Sequence, residues 1–301
     1  MTPLDIFHNR HERLRGGWRF LVFCAAFFAV YGALGSVTGD PYRIPFLLAA
    51  TFVGWACGRL FEGLPLRALG WTPRRGWLRD LLLGALFGVA AIILIVLLGI
   101  LFGGYRFAFT PPALSVSTLA LAARGAAVWL IPAAAEEALF RGYPLQTTMR
   151  AWPFWVSALL LSLLFASIHL LNPNFIPFAF VNTALAGLWL SVAYWRTRSL
   201  WLPLALHWAW NWAMGSLFGL PVSGITRYAE TALFRPAETT RDWLTGGAYG
   251  PEGGAACTVA IVLSTIFLWR TRLLRADPEL KRFTDGEMPK TTTGDAGGVV
   301  A

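Results

Sequence analysis

The chain has 301 residues, 56% of them apolar and 14% charged, with a mean hydropathy of +0.56, whereas a soluble domain is about 45–50% apolar and about 25% charged. Together with fifteen Trp and twenty-two Phe, that balance excludes an ordinary water-soluble domain and predicts an all-α polytopic membrane protein. The net charge of +9 does not indicate nucleic acid, because the basic residues lie in short segments between apolar runs and form no aromatic-basic strip of the kind that binds single strands.

Residues 1–17 are polar and basic. The first apolar run, Trp18 to Val37, is longer than the core of a signal peptide and is expected to remain as a first span. A turn at Gly39-Asp40-Pro41 precedes a second span from Ile44 to Leu60. The basic loop that follows, with Arg67, Arg74, Arg75 and Arg79, is expected to hold a short interfacial helix near Leu66–Leu69. A third span covers Leu81–Phe102, which makes residues 18–114 an N-terminal set of three membrane helices. The loop 103–112 is aromatic and nearly uncharged, and Pro111-Pro112 can open the next helix.

A fourth span runs from Ser115 through Pro132 to Met149. At about 50 Å it is longer than a bilayer core of about 30 Å, so it must tilt and protrude or be bent or interrupted at Pro132 or Pro144. Span five is Phe154–Leu171, Asn172-Pro173-Asn174 is a turn, span six is Phe175–Tyr194, and span seven is Leu200–Leu220. Residues 115–220 thus form a four-span core. A polar loop, 221–254, ends in the glycine-rich stretch from Thr245 to Gly254. Residues 255–269 form a last span, and the tail 270–301 is expected to be cytoplasmic and largely disordered.

About eight spans put both termini on one side. The N-terminal segment, the 59–79 loop, Arg150, the 196–198 turn and the tail hold about eighteen Lys and Arg, and the opposite loops about five. The excess assigns both termini to the cytoplasm and the 221–254 loop to the outside. Cys24, Cys57 and Cys257 each lie in or beside an apolar run with no metal-ligand spacing, and read as buried small hydrophobes.

Few ionisable residues lie deep within the spans: Arg124, Glu136, Glu137, Arg141, His169 and His207. A charge at membrane depth costs at least a few kcal/mol, so these need partners. Glu137 and Arg141 are four apart and can pair on one helical face, while Glu136 lies about 100° round the helix. Phe165 and His169 share a face, as do His207 and Asn211. Helical rise along the hairpin returns His169 to about the height of the carboxylates. This predicts a buried site near mid-membrane, towards the cytoplasmic half.

Glu136-Glu137-xxx-Arg141, Phe165-xxx-His169 and His207-xxx-Asn211, in this order and on separate spans, resemble the CPBP family. These are the CAAX-processing type II, or Rce1-like, intramembrane proteases, also called the Abi family. The resemblance covers about residues 115–220. Phe178-xxx-Asn182 fits the same pattern, and the stretch Pro251-Glu252-Gly253 looks like a loop seen in bacterial members.

The resemblance implies peptide hydrolysis of the glutamate type in a cavity within the helix bundle. Glu136 and His169 would activate a water, His207 and Asn211 would stabilise the oxyanion, and Glu137, Arg141, Phe165 and Asn182 would support them. It implies no cofactor. A zinc-dependent protease using the same residues is an alternative, although HExxH is absent. A transporter or a non-catalytic scaffold are others. Ser162 and Ser167 lie near His169 but lack a nucleophile elbow. The expected partners are the lipid bilayer and a peptide or membrane-protein substrate, lipidated or not; the expected location is the plasma membrane.

Overall fold

The computed structural model describes residues 4–9, 11–38, 44–109, 115–226 and 232–286. The expected Gly39-Asp40-Pro41 turn, the Pro111-Pro112 helix start and the disorder of the far tail lie outside these residues. The membrane helices are α1 (Gly16–Thr38), α2 (Ile44–Glu62), α3 (Trp77–Leu101), α4 (Val116–Phe140), α5 (Tyr143–Ala151), α6 (Phe154–Ile168), α7 (Pro177–Thr197), α8 (Trp201–Trp212) and α9 (Ala255–Arg270). Six helical stretches, with α4 and α5 taken as one, are long and apolar enough to cross a bilayer. The two shorter ones occupy the expected seventh and eighth spans. There α8 is prolonged by a wide π-type turn, Ala213–Leu217, and α9 runs for 16 residues, about 24 Å. Large apolar side chains such as Leu82, Leu86, Phe28 and Leu159 face outward, as they must where the surrounding solvent is lipid. The chain is a multi-pass membrane protein.

The fourth expected span is two helices. Pro132 stays inside α4, and the interruption falls at Arg141-Gly142, just before Pro144 takes its place in the first turn of α5. A Cβ on Gly142 would lie 2.3 Å from the carbonyl oxygen of Ala138, so only glycine lets the chain turn there. The start of α4 is capped by Ser115, whose hydroxyl accepts from the Thr118 amide at 3.1 Å.

The two ends of the bundle differ. At one end the start of α1 meets the ends of α2 and α5: Glu62 accepts from Arg19 at 2.5 Å and from Arg150 at 2.5 and 2.7 Å, all three buried. The first part of the tail docks at that end. Arg79 donates to the carbonyl of Leu273, Arg150 to that of Phe283, and Arg198 pairs with Asp285. A short helix there, α10 (Pro278–Thr284), is capped by Asp277 and lies before the point, about Thr284, beyond which disorder is expected. At the far end, Tyr105–Phe109 (β1) pairs antiparallel with Phe234–Thr239 (β2), with an irregularity between Arg106 and Phe107. Neither strand was expected.

Between the ends, α3 lies against α8 along Gly84 and Gly88. A Cβ on either would come within 2.5 Å of a carbonyl oxygen, of Leu202 or Leu206. Small residues four apart let the backbones approach, the usual device for helix packing in lipid. The largest core cluster surrounds this contact, with Ile92, Ile95, Trp189, Leu206 and Trp210 buried in it.

Candidate active site

Glu136 and Glu137 lie in the last full turn of α4, just before the glycine break, so their side chains project from a helix end held on several sides. Glu137 is fully buried. Its Oε1 accepts from Arg141 Nη1 at 3.0 Å, the expected pair, and also from His207 Nδ1 at 2.8 Å, which spacing could not reveal. Arg141 donates further to the Gly187 carbonyl at 3.0 Å, and its guanidinium lies 4.6 Å over the Phe165 ring. One aromatic ring thus meets most of the group: Phe165 stacks on His169 with centroids 4.7 Å apart and presents to His207 edge-on at 6.1 Å.

Glu136 points the other way, into a cavity of about 330 Å³ lined also by His169, His207 and Asn211. That volume is at the small end of the range for ligand pockets. Its Oε2 is buried and has no hydrogen-bond partner among the described residues, and the nearest ring nitrogen, His207 Nε2, is 3.8 Å away. His169 closes the end of α6, where its Nδ1 donates to the Phe165 carbonyl at 2.7 Å. Both imidazoles therefore use Nδ1 for support, which leaves Nε2 of each for chemistry. Asn211 is 8% exposed. The four residues expected to do chemistry share one cavity.

The expected supporting residues divide. Glu137, Arg141 and Phe165 brace the site directly. Asn182 does not line the cavity: its amide nitrogen donates to the carbonyls of Glu252 and Gly254 at 2.9 and 3.0 Å, and its oxygen accepts from Thr258 at 2.6 Å. It ties the glycine-rich loop to α7. Phe178 is 42% exposed on the outer surface, and Arg124, counted among the deep charges, is also exposed. Ser162 and Ser167 donate to carbonyls of their own helix, Ala158 and Leu163, and neither is set up as a nucleophile.

Three features of the cavity were not assigned to it from the sequence, although the stretch around Glu252 was noted. Glu252, from the glycine-rich loop, lines it; this carboxylate accepts from Trp210 Nε1 at 3.0 Å and from the Ser223 amide and hydroxyl at 2.7 and 2.6 Å. Trp129, Trp189 and Trp210 supply apolar walls. The segment from Val222 to Ile225 folds over the top. The signals were weak: a carboxylate in a glycine-rich run, and a Trp between His207 and Asn211.

No group of three or more His, Cys, Asp or Glu side chains among the described residues is placed to hold an ion.

Residues 118–213 match the family model described as Type II CAAX prenyl endopeptidase Rce1-like. The match spans α4 to α8 and includes every cavity residue expected to do chemistry. No curated protein and no solved structure matches the chain.

Proposed function

We propose that the chain, which carries an Rce1-like domain at residues 118–213, is an intramembrane endopeptidase whose attacking water is activated by Glu136. The observation that supports this best is the buried, unpartnered Oε2 of Glu136, set in one cavity with two imidazoles and an amide. A carboxylate held at membrane depth without a hydrogen bond is costly, and a site that uses it to take a proton gives a reason for it.

In this reading Glu136, with His169 lining the same cavity, removes a proton from water as the water oxygen attacks the carbonyl carbon. The electron pair moves to the carbonyl oxygen. There the Asn211 amide and a protonated His207 Nε2 donate, each such donor being worth roughly 3–4 kcal/mol in other enzymes. As the C–N bond breaks, the proton passes from Glu136 to the leaving amine. Glu137 holds His207 from behind, as a carboxylate holds the histidine of a catalytic triad. With His207 protonated, two carboxylates, one guanidinium and one imidazolium sum to zero, which limits the cost of burying them. The substrate is a peptide or a membrane-protein segment, lipidated or not, and the location is the plasma membrane.

The test is hydrolysis of a peptide library by the purified protein in H₂¹⁸O. A protease places ¹⁸O in the new C-termini, and Glu136→Gln should lower the rate at least about 100-fold with the thermal midpoint unchanged. Cleavage indifferent to Glu136→Gln would sink this assignment, and the absence of labelled products would point instead to a transporter or scaffold.

A further inference from the structure

The cavity has a floor and a mouth. On the side of the basic end the floor is solid. Glu137, Arg141, Phe140 and Phe165 are all 5% exposed or less, and below them every residue of α5 from Tyr143 to Thr148 is buried. On the other side the walls are Asn172, Ser223, Ile225 and Glu252. These belong to connections at the end of the bundle away from the docked tail. Asn172 follows α6 at its far end, and Gly224 packs on the Pro173 carbonyl. Glu252 belongs to the loop that precedes α9. Ile225, at the rim, is 42% exposed. The cavity therefore extends from Glu136 to the end of the bundle opposite the docked tail.

Charge tells which face that is. The segments that meet at the closed end carry about eighteen of the Lys and Arg, against about five in the opposite loops. The fold gathers them in one place: Arg19 and Arg150 on Glu62, and Arg79 and Arg198 on the tail. An excess of this size on short loops holds an end in the cytoplasm.

From these two observations we propose that the cavity takes its substrate from the extracytoplasmic face. The substrate class is an exported or membrane-anchored polypeptide that lowers an apolar or aromatic stretch past Ile225, between the indoles of Trp129 and Trp210, to Glu136. What becomes of that stretch rests on the endopeptidase reading; where it enters does not. The carboxylates can still lie in the cytoplasmic half, since His207 is only about 9 Å along α8 from the basic end. Depth and access are set by different parts of the fold.

The experiment labels single cysteines, placed in the full-length protein after replacement of the three native ones by Ala, with a membrane-impermeant maleimide on intact cells. Ile225→Cys and Trp243→Cys, both exposed at the far end, should react at once. Arg282→Cys, exposed on the docked tail, should react only after the membrane is opened. Labelling of Arg282→Cys from outside, or protection of both far-end positions, overturns the proposal. In sealed right-side-out vesicles of the wild-type protein, an impermeant peptide library added outside should then be cut, and Glu136→Gln should abolish the cleavage. Cutting only when the library is enclosed inside overturns the access route but leaves the protease. The expected labelling without Glu136-dependent cutting on either face overturns the protease but leaves the access route.

Discussion

At the scale of single residues, the site depends on Glu137 making two contacts at once. Its pairing with Arg141 was legible because four residues is one helical turn. Its bond to His207 was not, because the partner is seventy residues further on in another helix. Arg141 is where the bracing converges: it touches Glu137, the Gly187 carbonyl and the Phe165 ring. Breaking a buried pair from one side strands the other charge, at a cost of about 3–5 kcal/mol. Arg141→Ala should therefore lower the thermal midpoint in detergent by many degrees and abolish activity with it. Glu136→Gln removes a carboxylate whose Oε2 accepts no hydrogen bond among the described residues and should leave the midpoint alone. Equal midpoints for the two variants would mean that the ion pair does not carry the site. Asn182 shows how a motif leaves a role open: the resemblance placed it among the supporting residues, and its contacts are with the backbone of the glycine-rich loop and with Thr258.

At the scale of elements, hydropathy placed the helices to within a few residues, because spans are long apolar runs and their limits are set by charge and proline. It left open what backbone geometry decides. The fourth span breaks at Arg141-Gly142, next to the second of the two prolines: Pro132 fits within α4, whereas Pro144 cannot bond the Phe140 carbonyl and takes the first turn of a new helix, α5. The pairing of β1 with β2 joins segments about 130 residues apart, one of them containing Pro236, so neither alternation nor a turn signal marks it. The contact of α3 with α8 is the element-level feature with the clearest consequence, because α8 carries His207 and Asn211. Gly88→Ala would set a methyl group 2.5 Å from the Leu206 carbonyl oxygen and push the helices apart at the level of His207. The expected result is activity reduced at least about tenfold, since misplacement by 1 Å can cost about 100-fold, in a protein that still folds. Gly32→Ala, with nothing within 4 Å of the new methyl, is the control and should retain full activity. A fully active Gly88→Ala would show that this packing does not place α8.

At the scale of the whole molecule, the closed end is locked by charge. Glu62, Arg19 and Arg150 come from α2, α1 and α5, and each is buried. Arg150 also reaches the Phe283 carbonyl on the docked tail. Glu62→Gln would leave two guanidinium groups without their carboxylate, and stability should fall by about 3–5 kcal/mol. The loss should appear as a lower thermal midpoint, with early proteolysis near the N-terminus as α1 loosens. Proteolysis that begins instead in the far-end loops would show that the lock lies elsewhere. The basic residues of this end were read as topology signals on exposed loops. Several of them are structural, because a loop between two spans packs on its neighbours before it meets solvent.

The sequence by itself determined that the chain enters a membrane, roughly where each span lies, which end is basic, and which few polar residues lie too deep to be there by chance. Those properties are local: each depends on a run of neighbours or on one helical turn. Only the tertiary structure decided that Glu137 holds His207, that Asn182 serves the loop, that Glu252 lines the cavity, and that Glu136 is reached from the end away from the termini. Each of these depends on contacts between segments distant in the chain, and on which side of a packed layer the open space falls. No local pattern records that. The three charges at the end of α4 and just beyond it needed partners, and the packing around Phe165 determined how they are held.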